Sequence, residues 1–186
     1  EKSLALFTQM ADNDGIAHNL GNIGNVYKET GNYARALEYD QKALAMFRKL
    51  GDNHGVALNL GNMADACLET AKILSHAANA RDTTGLHTIL IPGTATTLLR
   101  QAIGYFTECL KISREIDELA NIHEFSLGLS DAYILSGNYA QALEAYKQHI
   151  LFRDSVLSDE NRVKIANMET EREQALKEKQ IEINNL

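Results

Sequence analysis

The chain has 186 residues with one proline and no tryptophan, 45% of its residues are hydrophobic, and its formal net charge is −7. This composition is sufficient to bury a core, and the scarcity of helix breakers favours long helices. The negative charge argues against nucleic acid or an anionic membrane as the main partner, because neither attracts such a surface.

An internal repeat of 40 residues organises the first part of the chain. Residues 11–27 return with close similarity as residues 51–67, and residues 1–7 match residues 41–47 at the same spacing. A period of this length is typical of a solenoid, in which stacked repeats present an extended surface to a partner. The same alignment predicts that the chain begins inside the second helix of an incomplete repeat.

Each repeat is predicted to consist of two helices. The first covers Gly15–Thr30, and its apolar residues Ile16, Leu20, Ile23, Val26 and Tyr27 recur at helical spacing. Gly31 and Asn32 end it, since both residue types accept the left-handed conformation at a helix C-terminus. The second helix is predicted over Tyr33–Leu50, with inward residues Ala36, Leu37, Ala43, Leu44 and Phe47. The small residues Gly24 and Ala36 allow the two helices to approach closely.

An insertion interrupts the second full repeat. The spacing between equivalent residues rises from 40 to 66, which leaves about 26 extra residues near Ala71–Thr96. Residues 71–80 continue the helical pattern and are expected to lengthen the first helix of that repeat. The apolar stretch Leu86–Ile91 needs cover. It is interpreted either as a loop packed on its own solenoid or as a ligand lid or dimer contact.

The repeat motif has a recognisable form. It reads Leu20, Ile23, Gly24, Tyr27, Gly31, Asn32, Tyr33, Ala36 and Ala43, and it recurs as Leu129, Ser130, Tyr133, Gly137, Asn138, Tyr139 and Ala142, with Ser130 in place of the glycine. This pattern resembles the tetratricopeptide repeat family, and the 40-residue period resembles its long Leu-Gly-Asn type. The resemblance implies an all-α, right-handed solenoid of antiparallel helix pairs.

The predicted domain organisation follows from the repeat alignment. Residues 1–157 form the solenoid, with a partial repeat at 1–14 and repeats at 15–54, 55–120 (including the insertion 71–96) and 121–157. Residues 158–186 form a C-terminal helix, of which residues 161–186 are rich in glutamate and lysine. Its first turns are expected to cap the open end of the solenoid, and the remainder to form a weak coiled coil, a signalling linker or a solvated tail.

The resemblance also implies a binding groove lined by the first helix of each repeat. The matching positions are His18, Gly21, Asn22, Asn25, Lys28, Leu58, Asn62, Asp65, Glu69, Glu124, Leu127 and Asp131. Asparagine amides both donate and accept hydrogen bonds, which suits an extended peptide. Gly21 and Gly61 are expected to let a ligand approach Asn22 and Asn62. The alternative is that these residues only adjust helix packing. The carboxylates favour a neutral or basic ligand.

No catalytic, metal or cofactor site is predicted. The six histidines show no metal-ligand spacing, and Gly21 and Gly24 fall inside a helix and not in a phosphate-binding loop. His149 is expected to be a hydrogen-bonded histidine between helices. Cys67 and Cys109 occupy apolar repeat positions, so they are predicted to be free buried thiols.

Two functions remain open at this point. The first is a non-catalytic module that binds a peptide or protein segment, as the sensor or scaffold region of a larger bacterial signalling protein. The second is a homodimerisation module, acting through the insertion or the C-terminal helix, that positions attached output domains. Residues 153–182 resemble the segment that follows tetratricopeptide repeats in bacterial transmembrane cyclases and histidine kinases. The module is then cytoplasmic, or periplasmic if a membrane helix follows Leu186.

Overall fold

The computed structural model describes residues 12–77 and 91–153, which contain six helices and no strand. The helices are α1 (Asn13–Glu29), α2 (Tyr33–Leu50), α3 (Asn53–Ala77), α4 (Ala95–Glu115), α5 (Leu119–Leu135) and α6 (139–153). They form an all-α helical repeat solenoid, which confirms the predicted fold class. Most of the partial repeat, residues 78–90 of the insertion and residues 154–186 lie outside the described residues.

Local sequence signals set the helix boundaries. Asp12 caps α1 by accepting a hydrogen bond from the Gly15 amide (3.0 Å), which starts the helix two residues before the predicted Gly15. Asn32 caps α2 in the same way, and α2 has the predicted bounds. Gly31 and Gly51 follow α1 and α2 with φ angles of 76° and 72°, a conformation that glycine adopts without strain.

The helices form two layers. The helices α1, α3 and α5 form an inner layer, in which α1 contacts α3 and α3 contacts α5. In the outer layer, α2 and α4 are linked by an exposed ion pair between Arg48 and Glu108 (2.9 Å), with little direct backbone contact. Because the inner helices lie closer together than the outer ones, the inner layer forms the concave side of the solenoid.

A continuous core runs between the two layers. Its largest side chains are Phe47, Phe106 and Phe125, each at most 2% exposed. Cys67 and Cys109 are buried free thiols, as predicted, and burial raises the pKa of both to about 12. At neutral pH both are therefore protonated and unreactive.

The lengthened helix of the second repeat is confirmed as far as the structure describes it. Helix α3 continues through residues 71–77, and Ile91 is buried in the core where the chain returns towards α4. Val26 differs from its sequence pattern, because it lies in the last turn of α1 and is 58% exposed. None of the described helices is both long and apolar enough to cross a membrane.

Candidate functional site on the inner layer

The twelve predicted groove residues all lie on the inner helices. The structure divides them into a cleft between α1 and α3, two lysine-centred clusters and an exposed pair on α5. The cleft contains His18, Gly21, Asn22, Asn25, Leu58 and Asn62. The clusters contain Lys28, Asn62, Asp65, Glu69 and Asp131, and the exposed pair is Glu124 and Leu127. The predicted stripe is thus divided among a cleft, two clusters and an exposed pair, and Asn62 belongs to both the cleft and the Lys28 cluster.

A lysine connects each pair of neighbouring inner helices. Lys28 Nζ on α1 lies 2.8 Å from Asn62 Oδ1 and 3.4 Å from Asp65 Oδ2 on α3. Lys28, Asn62 and Asp65 were all predicted to bind the ligand. Because they contact one another, part of their hydrogen-bonding capacity is already used within the protein.

The second lysine bridge was missed by the sequence prediction. Lys72 Nζ on α3 lies 2.8 Å from Glu69 Oε1 and 3.3 Å from Asp131 Oδ2 on α5. Lys72 lies in the lengthened part of α3, where the other repeats provide no equivalent position. The i, i+3 spacing of Glu69 and Lys72 on one helix could have indicated their ion pair from the sequence.

The cleft between α1 and α3 is open to solvent and has a volume of about 120 Å³. Besides the six predicted residues, its walls include Phe47, His54, Gly55 and Asn59. Asn22 is exposed and Asn25 half-buried, and within residues 12–77 and 91–153 neither side chain makes a hydrogen bond. Both amides are therefore available to an incoming ligand.

The two glycines expected to admit a ligand have different surroundings. A methyl group at Gly61 would overlap the ring of Phe125 on α5, so Gly61 makes room for a core side chain. The expectation that Gly61 opens the groove is therefore wrong. At the equivalent position Gly21, a methyl group would lie 3.3 Å from Asn59 Oδ1 in the wall of the cleft.

Asn59 is a buried polar residue that the sequence prediction missed. It is 3% exposed, and its Nδ2 donates to the Gly55 carbonyl at 2.8 Å. That bond fixes the orientation of the amide, because a carbonyl can only accept. Its Oδ1 faces Gly21 and has no hydrogen-bond partner among the described residues. An unpaired buried acceptor costs about 1–3 kcal/mol.

Two carboxylates lie beside the cleft at His18. Ligand atoms of Asp14, His18 and Asp52 all lie within 4.8 Å of one another. Asp52 also caps α3 by accepting from the Gly55 amide (3.0 Å), and His18 packs edge-on against Phe47 with ring centroids 5.0 Å apart. The i, i+4 spacing of Asp14 and His18 was visible in the sequence, but only folding brings Asp52 to them.

The inner layer carries more acidic than basic groups. The four carboxylates Asp65, Glu69, Glu124 and Asp131 face two lysines, Lys28 and Lys72. Burial raises the pKa of Asp65 to about 6, Lys28 opposes this effect, and the neighbouring Glu124 and Glu69 add to it. A cation bound nearby would favour the ionised form of Asp65.

Asp40 on α2 is the other perturbed carboxyl. It is fully buried against Gly24 on α1, where a methyl group would overlap its Oδ1. Neither carboxyl oxygen has a hydrogen-bond partner among the described residues. Burial raises the pKa of Asp40 to about 7, with an opposing effect from Lys28. The close approach predicted at Gly24 is thus present, with a carboxyl as the neighbour.

His149 has the structural role expected from its repeat position. Its Nδ1 lies 2.8 Å from the His123 carbonyl, and the Nδ1 of His123 lies 3.1 Å from the His149 carbonyl. Both Nδ1 atoms must donate, because a carbonyl only accepts. The rings stack with centroids 4.2 Å apart and connect α5 with α6.

Residues 1–74 match the family model of the tetratricopeptide repeat. The matched segment contains α1, α2 and most of α3, and therefore both walls of the cleft. Tetratricopeptide repeats generally mediate protein–protein interaction and are typically non-catalytic. No curated protein matches the chain.

Proposed function

We propose that this chain is a non-catalytic binding module whose inner layer recognises a peptide or protein segment. The observation that carries this proposal is the cleft between α1 and α3, where the side-chain amides of Asn22 and Asn25 make no hydrogen bond to any described residue. Such amides can pair with the backbone N–H and C=O groups of an extended chain. The match to tetratricopeptide repeats supports the same class of partner.

The charge of the inner layer supports a neutral or basic segment as the ligand. Glu124 on α5 is exposed, has no ion-pair partner among the described residues, and adds to the negative potential that raises the pKa of Asp65. An acidic segment would add like charge at this site, which costs binding free energy.

The test is a selection of random 12-residue displayed peptides on the full chain, followed by titration of the enriched peptides. The test variant carries Asn22→Ala, Asn25→Ala and Glu124→Ala, whose side chains form no hydrogen bond or ion pair within the part of the chain that the structure describes. A matched control carries Gln41→Ala, Gln101→Ala and Glu144→Ala on the exposed outer helices. We expect at least tenfold weaker binding for the test variant and less than twofold change for the control. Equal binding by all three proteins would contradict the proposal.

The signalling context is proposed from the sequence. The resemblance of residues 153–182 to the segment that follows such repeats in bacterial cyclases and histidine kinases supports a sensor or scaffold role. Ligand binding would then alter the geometry or spacing of attached output domains.

Homodimerisation is the second candidate function. It is favoured by the apolar surface of α6, where Tyr139 and Leu151 are 70% and 64% exposed and Leu143 is 56% exposed. Exposed patches of this kind often mark interaction sites. Light scattering over a range of concentrations tests it, and a strict monomer at all concentrations would exclude this role.

A further inference from the structure

We propose that Lys28 switches the binding site between two states: it occupies Asn62 while Asp40 is protonated, and it moves to Asp40 when that carboxyl is ionised. The inference rests on the proposed function and describes the regulation of the same inner layer. Two geometric observations support it. One is a fully buried carboxyl without a partner, and the other is a lysine on the adjoining helix whose present partners lie in the site.

The Asp40 carboxyl lies in a place where its ionised form needs a new partner. Asp40 is 0% exposed, and neither of its oxygens has a hydrogen-bond partner among the described residues. It packs directly against Gly24 of α1, which has no side chain to separate the two helices. A buried carboxylate without hydrogen bonds is strongly destabilised, so its ionisation favours the approach of a cation. Burial raises the pKa of Asp40 to about 7, and both forms are therefore populated near neutral pH.

Lys28 is the cation placed to approach this carboxyl. It lies one helical turn after Gly24 on the same face of α1, and long side chains of a helix lean back over the preceding turn. Lys28 already lowers the pKa of Asp40. Its Nζ is nevertheless bonded to Asn62 Oδ1 (2.8 Å) and lies 3.4 Å from Asp65 Oδ2. The side chain thus has partners in the site and a second carboxyl within the reach of its charge.

No other charged group takes this place at Asp40. Helices α1 and α3 both pack against α2, and of the charged groups on the three helices Lys28 alone acts on the Asp40 carboxyl. Arg35 on α2 lies over the Tyr27 ring. The ion pairs within and between the three helices include Glu38 with Lys42 on α2, Glu69 with Lys72 on α3, and Lys28 with Asp65 between α1 and α3.

Asp40 and Asp65 compete for this lysine once both are ionised. The Asp65 side chain is 27% exposed, so water solvates its charge, whereas Asp40 is enclosed where the attraction between opposite charges is stronger. Lys28 therefore moves to Asp40 as the pH rises through about 7. Its departure leaves Asn62 Oδ1 free to accept a backbone N–H of the bound segment, and it removes positive charge from beside Asp65. Both changes favour a neutral or basic segment at higher pH.

The first experiment needs no ligand. NMR on the full chain follows the side-chain amide signals of Asn62 and the carboxyl carbon of Asp40 from pH 5 to pH 9, and we expect both to change with one shared midpoint at about pH 7. Asp40→Asn should abolish the Asn62 change. The control Glu38→Gln, an equal charge change on the exposed side of α2, should retain it.

Lys28→Met provides a second test that leaves Asp40 in place. Asp40 should then titrate at higher pH, because the cation that lowers its pKa is lost, and the Asn62 signals should no longer follow it. Circular dichroism at both ends of the pH range establishes that each variant is folded. If Asp40→Asn does not fold, Lys28→Met decides the question.

The last experiment measures the consequence for binding. Uncharged, histidine-free peptides enriched on the full chain are titrated at pH 6 and at pH 8.5. We expect about three- to tenfold tighter binding at pH 8.5, the effect of roughly one additional hydrogen bond. Asp40→Asn should show less than about a twofold difference between the two pH values.

Constant Asn62 signals while Asp40 titrates would overturn the inference. So would an Asn62 transition that persists in folded Asp40→Asn and disappears in Asp65→Asn, since Asp65 alone would then control the lysine. Peptides that bind equally at both pH values would refute the switch and leave the proposed function intact. A shared NMR transition in a chain that selects no peptide would support the switch and contradict the proposed function alone.

Discussion

The inner layer has two helix–helix junctions, α1 with α3 and α3 with α5. The same repeat positions meet at both junctions, but one junction is open and the other is filled. Between α1 and α3, Gly21 faces Asn59, and a cleft with an unpaired amide oxygen lies beside them. Between α3 and α5, Gly61 faces Phe125, whose ring occupies the corresponding space. The same glycine position, Gly21 in α1 and Gly61 in α3, is therefore compatible with both an open cleft and a closed core. The residue on the facing helix decides which one forms.

Phe125→Ala should have the largest effect on stability. Phe125 is 1% exposed and contacts Phe106 with ring centroids 6.2 Å apart, so its removal leaves a cavity in the closed junction. Loss of a buried phenylalanine costs about 3–5 kcal/mol. Chemical denaturation measures this loss. Asn59→Ala is the comparison variant, and a loss of similar size there would mean that the two junctions are not packed differently.

Alanine at the two glycines should act in different ways. In Gly61→Ala the new methyl group overlaps the Phe125 ring, and overpacking of this kind costs about 1–3 kcal/mol. In Gly21→Ala the neighbour is the Asn59 amide at 3.3 Å, and alanine gains roughly 1 kcal/mol of helix propensity. Thermal melts should therefore show a lower Tm for the first and an unchanged or higher Tm for the second. A drop in both would contradict the proposed difference.

Asp40 in the first repeat occupies the position that Phe106 has in the second repeat. This buried carboxyl makes the stability of the fold depend on pH. The folded-state pKa of Asp40 is raised to about 7, above its unfolded value, so the protonated carboxyl favours folding. This contribution is complete below about pH 4 and is lost as the pH rises through 7.

Asp40→Asn should therefore remove part of this dependence. We expect the free energy of unfolding of the variant, relative to the native chain, to be on the order of 1–3 kcal/mol higher at pH 8 than at pH 5. Denaturant titrations at the two pH values measure the difference. Parallel pH profiles of the two proteins would show that Asp40 is not a buried ionisable group of this kind.

The lysine bridges should produce the smallest effects. Lys28→Met leaves the partly buried Asp65 without its cation, and we expect a loss of about 1 kcal/mol. Lys72→Met breaks a more exposed bridge, for which about 0.5 kcal/mol is expected. Urea denaturation at low salt compares the two, and 0.5 M salt should reduce the second effect more than the first. A larger loss for Lys72→Met would reverse this order.

The sequence by itself determined the architecture. The 40-residue period, the apolar spacing and residues such as Gly31, Asn32 and Gly51 predicted helix pairs, because helix boundaries depend on neighbouring residues along the chain. The same alignment placed the groove residues on the inner helices. For Gly61 it led to a wrong interpretation, since nothing in a repeat alignment identifies the side chain that faces a glycine.

Only the tertiary structure decided which polar residues are free and which are paired. Lys72 reaches Asp131 across 59 positions in the sequence, and Asp52 joins Asp14 and His18 from another turn. Asn59 and Phe125 occupy equivalent positions, yet the first lies beside a cleft and the second fills one. These differences arise from contacts between helices, where the size and hydrogen-bonding capacity of the facing side chain determine what remains open. Periodicity along one helix carries no information about that facing side chain.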